Sequence, residues 1–338
     1  MKQIVECVPN FSEGRNKEII DALGNSVKSV SGVKLLSVEP DKDYNRTVVS
    51  FVGDPKAVVN AAFEATQKAA ELIDMRLHKG EHPRLGATDV VPFIPISGVS
   101  MGNCVDLANE FGKRVASELN IPIYLYEFAA RTPQRKNLAE IRKGEYEGLA
   151  EKLKDASWKP DYGEPVFNSK SGATVTGARK FLIAYNVNLN TPRQDVANEI
   201  AARIRESGRP MKDASGKSMK NEKGDTIRTP GTLKAVKAMG VFLERFNIAQ
   251  VSINLVDFET TNMHDAFEEV KKQARTLGFD ATGSEIVGLV PLQAILASGK
   301  FYERDAPERG LVDIAVKNLG LSQLESFIPN KKIIEYQL

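Results

Sequence analysis

Cysteine is nearly absent from this chain of 338 residues, which holds only Cys7 and Cys104. Two distant thiols make neither a disulfide framework nor a zinc cluster, and they fit a reducing compartment. An excess of one charge is missing as well. The 46 Lys+Arg against 44 Asp+Glu leave a formal net charge of +2, without the basic surplus expected of a nucleic-acid binder. No apolar run approaches the roughly 20 residues needed to span a bilayer. The apolar stretch near Met1 is too short for a signal peptide. The expectation is a cytoplasmic protein with no nucleic-acid and no membrane partner. Tryptophan is limited to Trp158, expected to pack a linker, and histidine to three residues.

What is present is enough apolar residue for real cores, 42%, in a chain long enough for two domains or two halves. Ile4–Val8 reads as a strand and Asn16–Val30 as a helix, with Ile19, Ile20, Leu23 and Val27 at helical spacing. Val33–Val38 and Thr47–Val52 read as strands around a polar turn. Asp54-Pro55 is an N-cap with proline at the first helical position, opening a helix that ends near Met75. Val90–Ile96 closes a βαββαβ order. Asn103–Leu119 reads as a helix, Ile121–Tyr126 as a strand, 130–158 as short charged helices or turns, and 159–177 as an inter-domain segment. The second half repeats the order. Its elements are a strand at Phe181–Val187, a helix opened by a capping box at Thr191–Gln194, strands at 235–244 and 249–257, a helix at Asn262–Leu277 and a strand at Ser284–Val290. The lysine-bearing stretch 208–231 reads as a surface hairpin or loop. The fold class is therefore α/β of the α+β type: two ferredoxin-like βαββαβ subdomains, 1–178 and 179–338, with a ligand cleft expected between them.

Two of the three histidines fall in His78-Lys79-Gly80-Glu81-His82-Pro83-Arg84-Leu85-Gly86. His78, Glu81 and His82 match H-x-x-E-H, a zinc-hydrolase pattern that needs both histidines on one helical face. Gly80 costs about 1 kcal/mol in a helix, and Pro83 disfavours helical dihedrals at His82. The other reading is a loop histidine working as acid or base near neutral pH. Lys79, Arg84 and Arg46 would then attract an anionic substrate. The residues alone leave both readings open.

The run His78–Ala87, followed by Asp89-Val90-Val91-Pro92-Phe93-Ile94-Pro95, resembles the glutamate formimidoyltransferase family, in its stand-alone bacterial form. Val8-Pro9-Asn10-Phe11-Ser12-Glu13-Gly14, Asn45-Arg46-Thr47, Tyr124-Leu125-Tyr126, Gly172–Asn186 and Ala249-Gln250-Val251-Ser252 agree, so the resemblance runs from about residue 3 to about 325. It implies a one-carbon-group transferase of histidine degradation. The formimidoyl group would pass from N-formimidoyl-L-glutamate to N5 of the co-substrate tetrahydrofolate, on a fold of two ferredoxin-like halves. A related donor, 5-formyltetrahydrofolate acting on glutamate, stays open, as does the zinc hydrolase. The resemblance puts the catalytic histidine on His82. It implies no metal and a homodimer, and with the chain stopping at Leu338 it leaves no room for a cyclodeaminase domain.

Substrate contacts are expected from Asn10, Glu39, Asp41, Arg46, His78, Lys79, Glu81 and Arg84. Of these, Glu39, Asp41 or Glu81 could face a cationic tetrahedral centre, although Glu39 and Asp41 equally suit a turn cap. Folate contacts carry over to Gly163, Glu164, Pro165, Val166, Phe167, Asn168, Ser169, Lys170, Ser171 and Gly172, with Phe167 able to stack on the ring. Arg179, Lys180 or the lysines of 208–231 could meet the folate's carboxylates. His264, at a helix start, is left out of the catalytic set.

Overall fold

A computed structural model describes residues 2–80, 82–213, 216–221 and 224–337. The chain divides into two compact units, Met1–Lys180 and Phe181–Leu338.

In the first unit, β1 (Ile4–Cys7) and β2 (Asn10–Phe11) form one interrupted strand, broken at Val8-Pro9. Next come α1 (Lys17–Lys28), β3 (Val33–Asp41), β4 (Arg46–Gly53), α2 (Pro55–Leu72), β5 (Thr88–Ser97), α3 (Met101–Leu119) and β6 (Ile123–Glu127). The short α4 (Leu138–Arg142), α5 (Glu145–Lys152) and β7 (Thr174–Ala178) complete it. The sheet runs β3, β4, β1/β2, β5, β7, β6. The first four positions are antiparallel, and β7 and β6 add in parallel. This is the ferredoxin-like strand order with two strands added.

Period-two alternation assigns the two faces. Val5, Cys7, Val49, Phe51, Val91 and Phe93 join residues of α1, α2 and α3 in one core. Tyr124, Tyr126, Val175 and Val90 join Ile141 of α4, Leu149 of α5 and Leu153 just after it in a second core on the opposite face. Asn16 caps α1 and Asp54 caps α2 with Pro55 in its first turn. Ser100 and Asn103 make a capping box on α3. Both cysteines are buried and free.

The stretch 159–177 is not a linker. Thr174–Ala178 is a buried strand between β5 and β6. Its small residues hide it in a Ser/Gly-rich stretch, and only the two parallel neighbours complete its ladder. Trp158 packs within this unit too, its carbonyl accepting the Tyr124 hydroxyl at 2.7 Å.

The second unit repeats the order with β8 (Ile183–Leu189), α6 (Gln194–Ile204), the strand pair β9 (Arg209–Pro210) and β10 (Arg228–Thr229), β11 (Val236–Leu243), β12 (Ile248–Leu255), α7 (Met263–Thr276) and β13 (Ala281–Val287). The sheet order β11-β12-β8-β13 is ferredoxin-like again. β9 and β10 are antiparallel, with isolated bridges beyond them, so this exposed stretch is a hairpin. The capping box expected at Thr191–Gln194 is not formed. α6 starts at Gln194, and Arg193 precedes it without a side-chain cap, because Thr191 Oγ1 instead accepts the Arg193 N–H at 3.3 Å. α8 (Leu292–Tyr302) and α9 (Glu308–Asn318) follow. Among the described residues no helix is long and apolar enough to cross a membrane.

Candidate active site

The histidine segment lies in a loop between α2 and β5. α2 ends at Leu72, and turns at Asp74–Leu77 and Met75–His78 lead in. Gly80 is required for contact. A Cβ there would lie 2.4 Å from the Tyr44 carbonyl oxygen, at the hairpin turn joining β3 to β4. That turn is built by Asp41, whose carboxylate accepts the N–H groups of Asp43 and Tyr44 at 2.9 Å each. Asn45 closes it at φ 48° and donates from Nδ2 to the Lys79 carbonyl at 3.0 Å. At the other end of the loop, Ala87 N–H donates to Ser171 and Ala173 N–H to Leu85. A Cβ at Gly86 would sit 2.4 Å from the Ser171 and Ala173 carbonyl oxygens.

Held this way, the loop brings His82 onto Arg46. Arg46 Nη1 donates to His82 Nε2 at 3.1 Å and to Asn10 Oδ1 at 2.8 Å. A guanidinium can only donate, so Nε2 is the acceptor and the imidazole is neutral with its hydrogen on Nδ1. Burial, then the charges of Arg46 and Arg142, hold the His82 pKa below its ordinary value. Burial likewise lowers that of Arg46. Arg46 Nε and His82 Nδ1 are buried with no hydrogen-bond partner among the described residues. Native structures leave few such groups unsatisfied, and two in contacting side chains single this place out as a candidate site.

Two side chains that were not among the expected contacts complete the group. Between the pairs Asn10–Val90 and Phe11–Thr88 the ladder skips Asp89. Such a bulge re-aims a side chain. The Asp89 carboxylate accepts the Leu85 N–H at 2.9 Å and is paired with Arg142 of α4. Asp89 and Arg142 are 53 positions apart, which left their pairing no local signal.

His78 is engaged differently. Its Nε2 lies 2.9 Å from the Asn45 carbonyl and so carries the hydrogen, while Nδ1 accepts from Arg84 Nε at 3.3 Å. Arg84, nearly buried, also meets Glu145 at 2.8 Å and Glu147 at 2.5 Å. Both ring nitrogens of His78 are thus committed, and zinc would have to displace one bond. Among the described residues no group of three or more His, Cys, Asp or Glu is placed to hold a metal ion. We expect elemental analysis of the purified protein to find no stoichiometric zinc. A full equivalent of zinc would sink this assignment.

Of the other expected contacts, Glu39 and Lys79 are exposed, Asp41 caps its turn, and Glu81 lies outside the described residues. In Gly163–Gly172, the Phe167 ring packs on Tyr146 at 5.5 Å and Lys170 Nζ donates to the Glu71 carbonyl at 2.8 Å. Gly163, Glu164, Val166 and Asn168 line a groove of about 680 Å³ with Lys113 and Asn120, on the α3 side of the sheet. Asn10 and Arg46 are on the other side by the strand alternation. In the second unit His264 stacks on Phe301 at 4.5 Å and lies 3.2 Å from Ser298 Oγ.

Glu6 is a further surprise. It is 4% exposed on β1, facing away from the Val5–Cys7 core, and burial pushes its pKa up to about 7, opposed by the charge of Arg179. The unfolded value is near 4.5. Its stabilising protonation is therefore fully present below pH 4.5 and lost as pH rises through 7. The difference is about 3 kcal/mol. Glu6→Gln should raise stability by up to about 3 kcal/mol at pH 8 and scarcely at pH 4. Urea unfolding at both pH values checks this, and equal effects at the two would contradict it.

Fold and site together define a class: an α+β protein of two ferredoxin-like subdomains, the first carrying a neutral imidazole under a guanidinium. Residues 4–179 match the model of the formiminotransferase domain, N-terminal subdomain, and residues 184–338 match that of the formiminotransferase domain. The chain is 49% identical over 341 residues to the formimidoyltransferase-cyclodeaminase of Mus musculus, covering 99% of this chain and 60% of that protein. It is 44% identical over 302 residues to the glutamate formimidoyltransferase of Streptococcus pyogenes serotype M1, covering 89% of this chain and 94% of that one. It is 45% identical over 301 residues to the glutamate formimidoyltransferase of Thermoplasma acidophilum, covering 88% and 92%. This chain belongs to the formiminotransferase family. It spans 60% of the length of the mouse relative.

Proposed function

We propose that this chain transfers the formimidoyl group of N-formimidoyl-L-glutamate to N5 of tetrahydrofolate, giving 5-formimidoyltetrahydrofolate and L-glutamate in histidine degradation. The observation that carries this is the neutral His82 imidazole held at 3.1 Å by Arg46, in a chain whose relatives include named glutamate formimidoyltransferases.

His82 Nε2 is the proton carrier. As N5 of the folate attacks the amidine carbon, a C–N bond forms and N5 gives up its proton to Nε2. The imidazolium then protonates the glutamate nitrogen. The second C–N bond breaks, and the imidazole is neutral again. Arg46 and Arg142 favour both halves. They keep His82 unprotonated before attack and make the imidazolium a ready donor afterwards. Arg46, with Asn10, meets a carboxylate of the donor and releases Nε2 as it does so. The donor's negative charge offsets the two cations. His78 and Arg84 act on the loop through Asn45, Glu145 and Glu147. The Gly163–Gly172 stretch is taken as folate-contacting from the family resemblance. Its support here is the backbone pairing of Ser171 and Ala173 with the histidine loop.

The test is glutamate release from formimidoylglutamate. Release should require tetrahydrofolate and be matched by 5-formimidoyltetrahydrofolate. Equal release without folate would turn the reading into a hydrolase.

A further inference from the structure

The proposed reaction leaves Glu6, a buried ionisable group of the first unit, unused. Glu6 lies on the same strand pair and the same sheet face as Asn10, facing away from the helix core. Glu6 is opposite Ile94 and Val52, and Asn10 is opposite Val90 and Val48. The two positions are thus four residues apart along β5, about 13 Å. Between them on this face lie Val8, Ser50 and Pro92, the first two half-buried and the third buried. Arg179 closes the far end, its N–H donating to the Phe93 carbonyl at 3.2 Å. The face therefore has a polar acceptor at one end, the Asn10–Arg46–His82 group at the other, and a flat floor of small and apolar side chains. The span suits a fused two-ring heterocycle with a hydrogen bond of about 2.9 Å at either end.

We propose that Glu6 binds the heterocycle of the tetrahydrofolate acceptor. Its carboxylate accepts two parallel N–H bonds from the 2-amino group and the adjacent ring N–H, which orients N5 toward His82. A carboxylate is the side chain that matches two parallel donors, and Arg179 favours its ionised form. Of the described side chains on this face, Val8 and Pro92 offer only apolar surface and Ser50 a single hydroxyl, so Glu6 alone supplies a carboxylate with two parallel acceptor oxygens. Burial of a carboxylate is costly, and a ligand with two donors would offset that cost. Arg46 and Asn10 remain with the donor substrate, so the two ends of the face separate the two substrates.

This inference rests on the transferase reading, and the test separates the two. Binding of tetrahydrofolate and of its 2-desamino analogue is measured by calorimetry on the full chain, wild type and Glu6→Gln. Wild type should bind the desamino analogue roughly 10–100-fold more weakly. Glu6→Gln should lose about the same factor for tetrahydrofolate, and its ratio between the two ligands should collapse toward one, while the KM for formimidoylglutamate stays put. A wild type indifferent to the 2-amino group overturns the proposal without any variant. A Glu6→Gln protein that keeps the wild-type ratio overturns it as well. A wild type that turns over donor but binds no tetrahydrofolate overturns the transferase reading along with it.

Discussion

Under the proposed reaction His82→Ala lowers kcat by roughly 10²–10⁴-fold, the span a positioned acid–base group contributes, with a much smaller change in the KM for either substrate. The side chain meets Arg46 alone among the described residues through Nε2, so its loss removes a proton carrier rather than a binding surface. What remains is the gain from holding two substrates together, so the variant keeps a measurable rate. The pH profile adds a second reading. Burial and the charges of Arg46 and Arg142 hold the His82 pKa below its usual 6.5. The basic form therefore predominates at neutral pH, and the acid limb of kcat/KM lies below pH 6.5. Arg46→Met, which removes one of those charges, should move that limb upward. Full turnover by His82→Ala in a steady-state assay, or an acid limb unmoved by Arg46→Met, would reject the assignment.

The second large effect falls on stability. Asp89, at 2% exposure, pairs with Arg142, and it also accepts the Leu85 N–H. Asp89→Ala leaves an uncompensated guanidinium beside Arg46 and an unpaired amide at the end of the histidine loop. Breaking one partner of a buried pair costs about 3–5 kcal/mol, a large part of the 5–15 kcal/mol typical of a whole domain. The urea midpoint should fall accordingly. Asp89→Leu combined with Arg142→Met should recover much of the loss, because two apolar side chains leave no orphaned charge. Asp89 also raises the His82 pKa, so any Asp89→Ala protein that still folds should show its acid limb at still lower pH. A single variant as stable as wild type would mean that the pair contributes little.

Local rules reached far into this chain. The helix stripe of Ile20, Leu23 and Val27, the Asp54-Pro55 start of α2 and the strand runs on either side gave both βαββαβ orders. Gly80 and Pro83 argued the histidine pair off a helix, and the segment is a loop. Each of these rests on interactions within a few residues, which a sequence displays directly. The errors have the opposite character. β7 is short, small-residue and Gly-containing, and it is a strand because β5 and β6 flank it. Thr191 satisfies a near neighbour in place of opening α6.

The sequence by itself determined the family resemblance, the order of elements and the choice of a loop for His82, because spacing and turn chemistry are local. Only the tertiary structure decided what His82 meets. Arg46 arrives from the start of β4, Asn10 from the resumed first strand, Asp89 from a bulge and Arg142 from α4 across 53 positions. It also decided that Glu6, which in the sequence is one carboxylate in an apolar run, is buried with a pKa near 7. Sheet pairing and burial set these facts. Both depend on residues distant in the chain, and electrostatic effects on a side chain follow from whatever the fold places beside it.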